Sequence, residues 1–165
     1  MAKLPIFTVD WEDIWDGVPD EGPSLVHEPT VHLLNLLRIH GVTATFYILG
    51  KTRDANPETY RAIVNAQHRI KSHGYHHVRY EDADRKPYEN LGATGGFYFR
   101  ALPYWLIKRN VIANRHFYIH PHDIIENHPR LSNPLLNWKR QIGRQNAYSK
   151  LYRLLSEIKW GHPCQ

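Results

Sequence analysis

Two groups of side chains in this sequence have the types and spacing of a metal-dependent hydrolytic site. Three carboxylates, Asp10, Glu12 and Asp13, fall within four positions, and two histidines, His73 and His77, lie four residues apart. Carboxylates this close raise one another's pKa unless a cation or hydrogen-bond donors offset the repulsion. Histidines at this spacing share one side of a helical turn, which is a common arrangement for zinc. A solvated acidic loop is the alternative interpretation of the carboxylates.

A third histidine, His120, occupies the end of an apolar segment and precedes Pro121. This position suits a general acid or base that points into a cleft, and Asp123 or a backbone carbonyl could orient its ring. A turn with incidental polar residues is the alternative. Two imidazoles and one carboxylate, with one coordination position left open, make the ligand set of a catalytic zinc site.

The order of apolar segments indicates how these side chains are positioned. The sequence predicts strands at 4–9, 43–49, 70–72 and 116–120, and helices at 30–40, 57–68, 102–113 and 148–158, with loops at 16–29 and 121–134. The alternation of strand and helix predicts a parallel sheet with right-handed crossovers. Functional groups gather at the carboxyl ends of such strands, which is where Asp10, Gly50 and His73 fall.

Composition limits the classes of protein. A chain of 165 residues with 42% hydrophobic residues predicts one globular domain over 1–165, and it is too short for a complete eight-stranded barrel of roughly 250 residues. No apolar run reaches the roughly 20 residues of a membrane span, and no signal peptide is evident, so the location is cytoplasmic or left open by the sequence. The single Cys164 excludes an internal disulfide. The net charge of +5 favours nucleic acid, an anionic membrane or an acidic polymer as a partner. The basic residues from Lys139 onward are compatible with nucleic-acid binding, but the solvated face of the last helix is the favoured explanation.

Five segments carry a family resemblance, and they occur in the family's order. They are FTVDWED at 7–13, ATFYILG at 44–50, KSHGYHH at 71–77, GGFYFRALPYW at 95–105 and YIHPHDI at 118–124. Together they resemble the polysaccharide deacetylases, the NodB-like carbohydrate esterases of family four, in the subgroup found in exopolysaccharide loci. The resemblance implies metal-dependent hydrolysis of N-acetyl groups on amino sugars in a polysaccharide or oligosaccharide.

The resemblance also implies roles for individual residues. Asp10 is the expected catalytic base and His120 the general acid, while His73 and His77 bind a divalent metal, zinc by ligand type, together with Glu12 or Asp13. An offset of two residues from the base favours Glu12, whereas Asp13 is the nearest aspartate, so both stay open. The candidate substrate contacts are Trp11, Tyr75, Tyr98 and Arg100, although core packing is the alternative for most of the aromatic residues.

One departure from the family bears on activity. Family members carry further strand–helix units before the GGFYFR segment, whereas here only 78–94 occupy that interval. Arg85 and Pro87 fit the bare Arg-x-Pro triplet of those units, but no apolar strand leads into it. The sequence therefore predicts a shortened, open version of the deformed (β/α) barrel, whose exposed sheet edges a second copy could cover. A catalytically impaired metal- or glycan-binding homologue and an amidase for non-sugar amides are the alternative functions.

Overall fold

The computed structural model describes residues 3–16, 18–76 and 93–163. The predictions for His77 and Arg85 lie outside these residues. The strands are β1 Ile6–Trp11, β2 Thr45–Ile48, β3 Arg69–Ser72 and β4 His116–Ile119. The helices are α1 His27–Ile39, α2 Gly50–Ala55, α3 Pro57–Asn65, α4 Gly96–Ala101, α5 Tyr104–Asn114, α6 Pro134–Gln141 and α7 Ala147–Glu157, with 3₁₀ turns at Pro121–Ile124 and Arg144–Asn146. No helix in these ranges is both long and apolar enough to cross a bilayer.

The four described strands form one parallel sheet in the order β3-β2-β1-β4, which confirms the predicted α/β class with a parallel sheet. The chain adds β2 and β3 on one side of β1 and then reverses to place β4 on the other side. Within the described residues the sheet is open and is not closed into a barrel. In open sheets of this kind, ligands bind at the carboxyl ends of the strands where the order reverses. Here that point lies between β1 and β4.

One face of the sheet carries the hydrophobic core. Phe7, Val9 and Trp11 alternate along β1 and are fully buried, because successive side chains of a strand point to opposite faces. The same buried cluster contains Leu33 of α1 and Ile107 of α5. Burial of apolar area at about 25 cal/mol per Å² is the main favourable contribution to such a core. The helices on this face therefore hold the strands in register.

The opposite face carries polar and aromatic side chains around a cavity of about 430 Å³. Its lining consists of Thr8, Asp10, Tyr47, Ser72, His73, His116 and Tyr118. These residues come from all four strands or directly follow them. This face of the sheet therefore lines a cavity that includes Asp10 and His73 near the carboxyl ends of β1 and β3 and that lies within the usual size range of ligand sites.

Several helix boundaries differ from the sequence prediction. Helix α1 begins at His27, inside the predicted loop, because Pro29 is tolerated in the first helical turn. The short helices α2, α4 and α6 were not predicted, since six to eight residues are too few to show an apolar period. For α6 a local signal was available. The Asn133 side chain accepts hydrogen bonds from the first turn, and Pro134 follows at the first helical position.

Two glycines with left-handed backbone give a matched test of packing beside the site. Gly143 has φ of 70°, and a Cβ there would lie 2.1 Å from the Arg100 carbonyl oxygen. Gly41 has φ of 62° and open space around it. We expect Gly41→Ala to cost about 1 kcal/mol of unfolding free energy through backbone strain alone. Gly143→Ala should cost about 2–4 kcal/mol, because displacement of the backbone adds to that strain.

Urea unfolding followed by circular dichroism measures both free energies. Equal losses of stability in the two alanine variants would contradict the close approach of Gly143 to Arg100.

Candidate active site

Four polar side chains converge at the carboxyl ends of the strands. Glu12 follows β1 and is only 4% exposed, and its Oε2 lies 3.8 Å from His73 Nε2. Its Oε1 lies 3.4 Å from His120 Nε2, which is also 3.9 Å from Asp10 Oδ2. The strand register explains this convergence. Val9 pairs with Ile119, so the residues that follow them, Asp10 and His120, lie level across β1 and β4.

The ring of His120 is held in one orientation by Asp123. The Nδ1–H of His120 donates to Asp123 Oδ2 at 3.1 Å, and the His120 backbone N–H donates to the same oxygen at 3.0 Å. The turn Pro121–Ile124 makes both bonds possible, because it brings residue 123 back over residue 120. The second ring nitrogen, Nε2, is therefore left to face Asp10 and Glu12.

The charges around His120 favour its protonated form. Burial alone would lower the pKa of His120, but the hydrogen bond to Asp123 and the charges of Asp123, Glu12 and Asp10 raise it to about 9. Burial would likewise raise the pKa of Asp123, yet His120, His122 and Arg100 hold it well below its ordinary range. The buried Asp123 and the partly exposed His120 thus form an ion pair that presents a proton donor at Nε2.

Arg100 fixes the other side of Asp123. Its Nε–H donates to Asp123 Oδ1 at 2.9 Å, and its remaining nitrogens donate to the carbonyl oxygens of Lys139, Arg140 and Ile142. The Arg100 residue is 4% exposed. The sequence interpretation of Arg100 as a substrate contact is therefore corrected, because its guanidinium group is enclosed by these partners. Arg100 instead positions Asp123.

Asp13 has different partners from Glu12. Its Oδ2 accepts a hydrogen bond from the Ser24 hydroxyl, and its backbone N–H donates to Asp16 Oδ2 at 2.7 Å. Asp13 and Asp16 line a second cavity of about 410 Å³ with Thr52. Of the two carboxylates that the sequence left open as metal ligands, Glu12 is the one that the structure brings to His73.

The three aromatic candidates for substrate contact differ in exposure. Trp11 is fully buried in the core, and its indole N–H donates to Thr30 Oγ1 at 2.9 Å. No face of that ring can meet a substrate, so this interpretation of Trp11 is also corrected. Tyr75 is 54% exposed and Tyr98 is 47% exposed. Both of these rings are accessible.

A second group of potential metal ligands lies beside the first. Ligand atoms of His120, His122 and Asp123 fall within 4.8 Å of one another. However, the guanidinium of Arg140 donates to His122 Nε2, and Arg144 donates to the His122 carbonyl oxygen. Burial, and then these arginines, hold the pKa of His122 well below its ordinary value. The positive charges of the guanidinium groups oppose a cation at this position.

The contact between His122 and Arg140 was missed by sequence reasoning. The two residues are 18 positions apart, and Arg140 lies in α6, which was itself not predicted. Asp123, by contrast, was identified as a possible orienting group from its place three residues after His120. A short-range signal was available for Asp123 and none for Arg140.

Comparison with known proteins identifies the family. Residues 18–91 match the model described as polysaccharide deacetylase, and residues 82–164 match a domain of unknown function, DUF3473, that is associated with deacetylases. The second match spans just over half of the chain, which therefore belongs to the DUF3473 family, whereas the polysaccharide deacetylase model matches less than half of it. The open sheet is consistent with a shortened NodB-like fold. His73 falls within the first match and His120 within the second, so the candidate site draws on both.

One curated relative is similar to part of the chain. It is the peptidoglycan-N-acetylglucosamine deacetylase of Bacillus cereus, which is 34% identical over 71 residues. The aligned region covers 43% of this chain and 25% of that protein. The chain therefore corresponds to about a quarter of the relative's length.

The burial of His128 beside three arginines leads us to expect a pH dependence of the stability of the fold. Burial of His128, with the charges of Arg144, Arg140 and Arg100, lowers the pKa of His128 to about 4 although its Nδ1–H donates to the Pro129 carbonyl oxygen. The unfolded chain binds this proton near pH 6.5, so protonation favours unfolding. This contribution to stability should be complete above pH 6.5 and should be lost as the pH falls to 4.

Urea unfolding at several pH values tests this prediction in the parent chain and in His128→Gln. The parent should lose roughly 1–3 kcal/mol more than the variant between pH 7 and pH 4. Parallel pH profiles in the two proteins would show that His128 titrates with an ordinary pKa.

Proposed function

We propose that this protein hydrolyses N-acetyl groups of an amino-sugar glycan in a metal-dependent reaction. The observation that carries the proposal is the meeting of Asp10, Glu12, His73 and His120 where the sheet order reverses. The match of residues 18–91 to the polysaccharide deacetylase model supports deacetylation as the class of reaction. The similarity to a relative named for peptidoglycan N-acetylglucosamine supports an amino sugar as the substrate.

The chemistry of the donor atoms fits a divalent cation. Glu12 offers a buried carboxylate and His73 an imidazole nitrogen 3.8 Å from it, and both are ordinary zinc ligands. A buried carboxylate is costly unless positive charge or hydrogen bonds compensate it. We propose Glu12 and His73 as ligands, with His77 as the third on the strength of the sequence motif. This set leaves a position open for substrate or water, as catalytic zinc sites do.

The residues of the chain supply the proton transfers. When bound, a divalent cation polarises the amide carbonyl and promotes attack by water. Asp10 lies at the same strand end and accepts the proton that the attacking water gives up. His120 donates a proton from Nε2 to the amine nitrogen as the C–N bond breaks, and Asp123 holds the ring in place. The products are acetate and a free amino sugar.

The open sheet favours one alternative, a homologue that binds metal and glycan without turnover. The described sheet has four strands, and the chain is too short for a complete barrel. Release of acetate from N-acetylglucosamine oligomers, above the level of a chelator-treated control, would reject this alternative. A panel of small amides assayed in parallel separates a glycan deacetylase from an amidase with non-sugar substrates.

The choice between the two carboxylates can be tested by metal content. We expect Glu12→Gln and His73→Ala to weaken zinc binding by at least about 100-fold and to abolish acetate release, because each removes a ligand. The matched control is Asp13→Asn, which alters the neighbouring carboxylate but should retain zinc. Zinc per protein is measured by atomic absorption after dialysis against a zinc buffer.

The opposite pattern, with zinc lost in Asp13→Asn and retained in Glu12→Gln, would transfer the ligand role to Asp13. Full zinc content in all three variants would remove the metal site from this position.

The role of His120 can be separated from metal binding. We expect His120→Asn to lower the rate of acetate release by about 10²–10⁴, which is the usual contribution of a general acid, while zinc content stays near the parent value. The control is His32→Asn, which alters an exposed histidine of α1 and should leave both quantities unchanged. Undiminished acetate release by His120→Asn would exclude this histidine as the acid.

A further inference from the structure

We propose that three aromatic side chains, Phe97, Tyr98 and Trp138, form a binding subsite for one sugar ring of an N-acetylated glycan. We refer to these three residues as the aromatic platform. The inference rests on the proposed deacetylase function and extends it, because it assigns recognition of the polymer to the C-terminal part of the chain. The platform lies outside the residues proposed for catalysis and metal binding.

The aromatic platform consists of two exposed rings in contact with the half-buried ring of Phe97. The ring centroids of Phe97 and Trp138 are 6.0 Å apart with the rings tilted by 49°, and those of Phe97 and Tyr98 are 5.6 Å apart with the rings edge to face at 70°. Trp138 is 54% exposed and Tyr98 is 47% exposed. The next residue of α4, Phe99, is fully buried. Phe99 therefore accounts for the packing of α4 on the core, while the platform rings face outward.

Helix α4 places the platform next to the cavity on the polar face of the sheet. Gly95 and Gly96, which precede Phe97, pack directly on Tyr118. A Cβ at Gly95 would lie 1.8 Å from the Tyr118 carbonyl oxygen, so no larger residue fits there. Tyr118 in turn lines the cavity with Asp10 and His73. The platform therefore begins immediately beyond the wall of this cavity.

A second connection runs through α6. Trp138 lies two residues before Arg140, whose guanidinium donates to the ring of His122. That ring stacks on His120 with the centroids 4.9 Å apart. Residues two apart on a helix point to different sides, so Trp138 is exposed while Arg140 packs toward His122. Helix α6 therefore carries one ring of the platform and one group that packs on the stacked histidines.

The chemistry of the surface favours a sugar. Aromatic rings offer flat apolar faces to the C–H groups of a pyranose, and the Tyr98 hydroxyl can hydrogen-bond to its polar substituents. Binding energy from parts of a substrate distant from the reacting bond can support catalysis, which gives a reason for such a subsite. Exposed aromatic patches also mark self-association surfaces, so a second copy of the chain is the competing occupant.

Binding of the N-acetylglucosamine tetramer, measured by calorimetry, tests the proposal. The full-length chain carries His120→Asn so that the bound oligomer is not deacetylated. Adding Trp138→Ala or Tyr98→Ala should weaken binding about tenfold, in the range found for exposed aromatic anchors. The matched control is Tyr152→Ala, which removes a comparably exposed ring from α7 and should leave affinity unchanged. Circular dichroism confirms that the variants keep the fold.

Each possible result supports or contradicts the proposed sugar-binding subsite. Equal affinity for the tetramer in the His120→Asn chain with and without Trp138→Ala would contradict the proposed subsite. Failure of the His120→Asn chain to bind the tetramer would also contradict it. Sedimentation velocity that shows a dimer dissociated by Trp138→Ala, with unchanged sugar affinity, would assign the patch to self-association. Release of acetate from the N-acetylglucosamine dimer by the unmodified chain is assayed separately. If no acetate is released but tetramer binding depends on Trp138, the proposed reaction is rejected and the subsite is retained.

Discussion

The buried carboxylate of Asp123 is the group on which the geometry of the candidate site depends. It is 1% exposed, and a charge in that position must be compensated by partners inside the protein. Arg100 provides one partner and His120 the other, and Arg100 is itself held by carbonyl groups at the end of α6. Removal of one member of such a network leaves an uncompensated buried charge, which typically costs about 3–5 kcal/mol. The same contacts that lock α4, α6 and the turn after β4 together therefore also give His120 a single orientation.

Negatively and positively charged side chains of the candidate site form two groups, one on either side of His120. Asp10 and Glu12 contribute negative charge after β1, whereas Arg140 and Arg144 surround His122 with positive charge. Both groups contain side chains that could ligate a metal when considered by residue type alone. The electrostatics separates them, because a divalent cation is attracted to the carboxylates and repelled by the guanidinium groups. This polarity is why we place the metal with Glu12 and His73.

Because the sheet is open, a substrate can reach the site, and one face of the sheet is more exposed than is usual for a parallel sheet. Parallel sheets are normally covered on both faces, but here the second face lines a cavity with polar and aromatic side chains. In the described part of the chain, β3 and β4 are the edge strands, and such edges can pair with another chain. A single domain over 1–165 and a homo-oligomer that covers these edges both stay proposals. Binding of a glycan at the uncovered face of the sheet is compatible with both of these proposals.

The sequence by itself determined the parallel α/β order and the placement of Asp10, His73 and His120 at or just after strand ends, because these follow from short-range apolar and β-branched patterns. It also indicated Asp123, which lies within one turn of the histidine that it orients. Only the tertiary structure shows that Glu12 approaches His73 whereas Asp13 pairs with Ser24 and Asp16, since neighbouring residues take different partners once the strand has ended. Only the tertiary structure could assign Arg100 to Asp123 and bring Trp138 beside Phe97. Those contacts join segments that are more than 20 residues apart, and no local pattern records which distant segments will pack together.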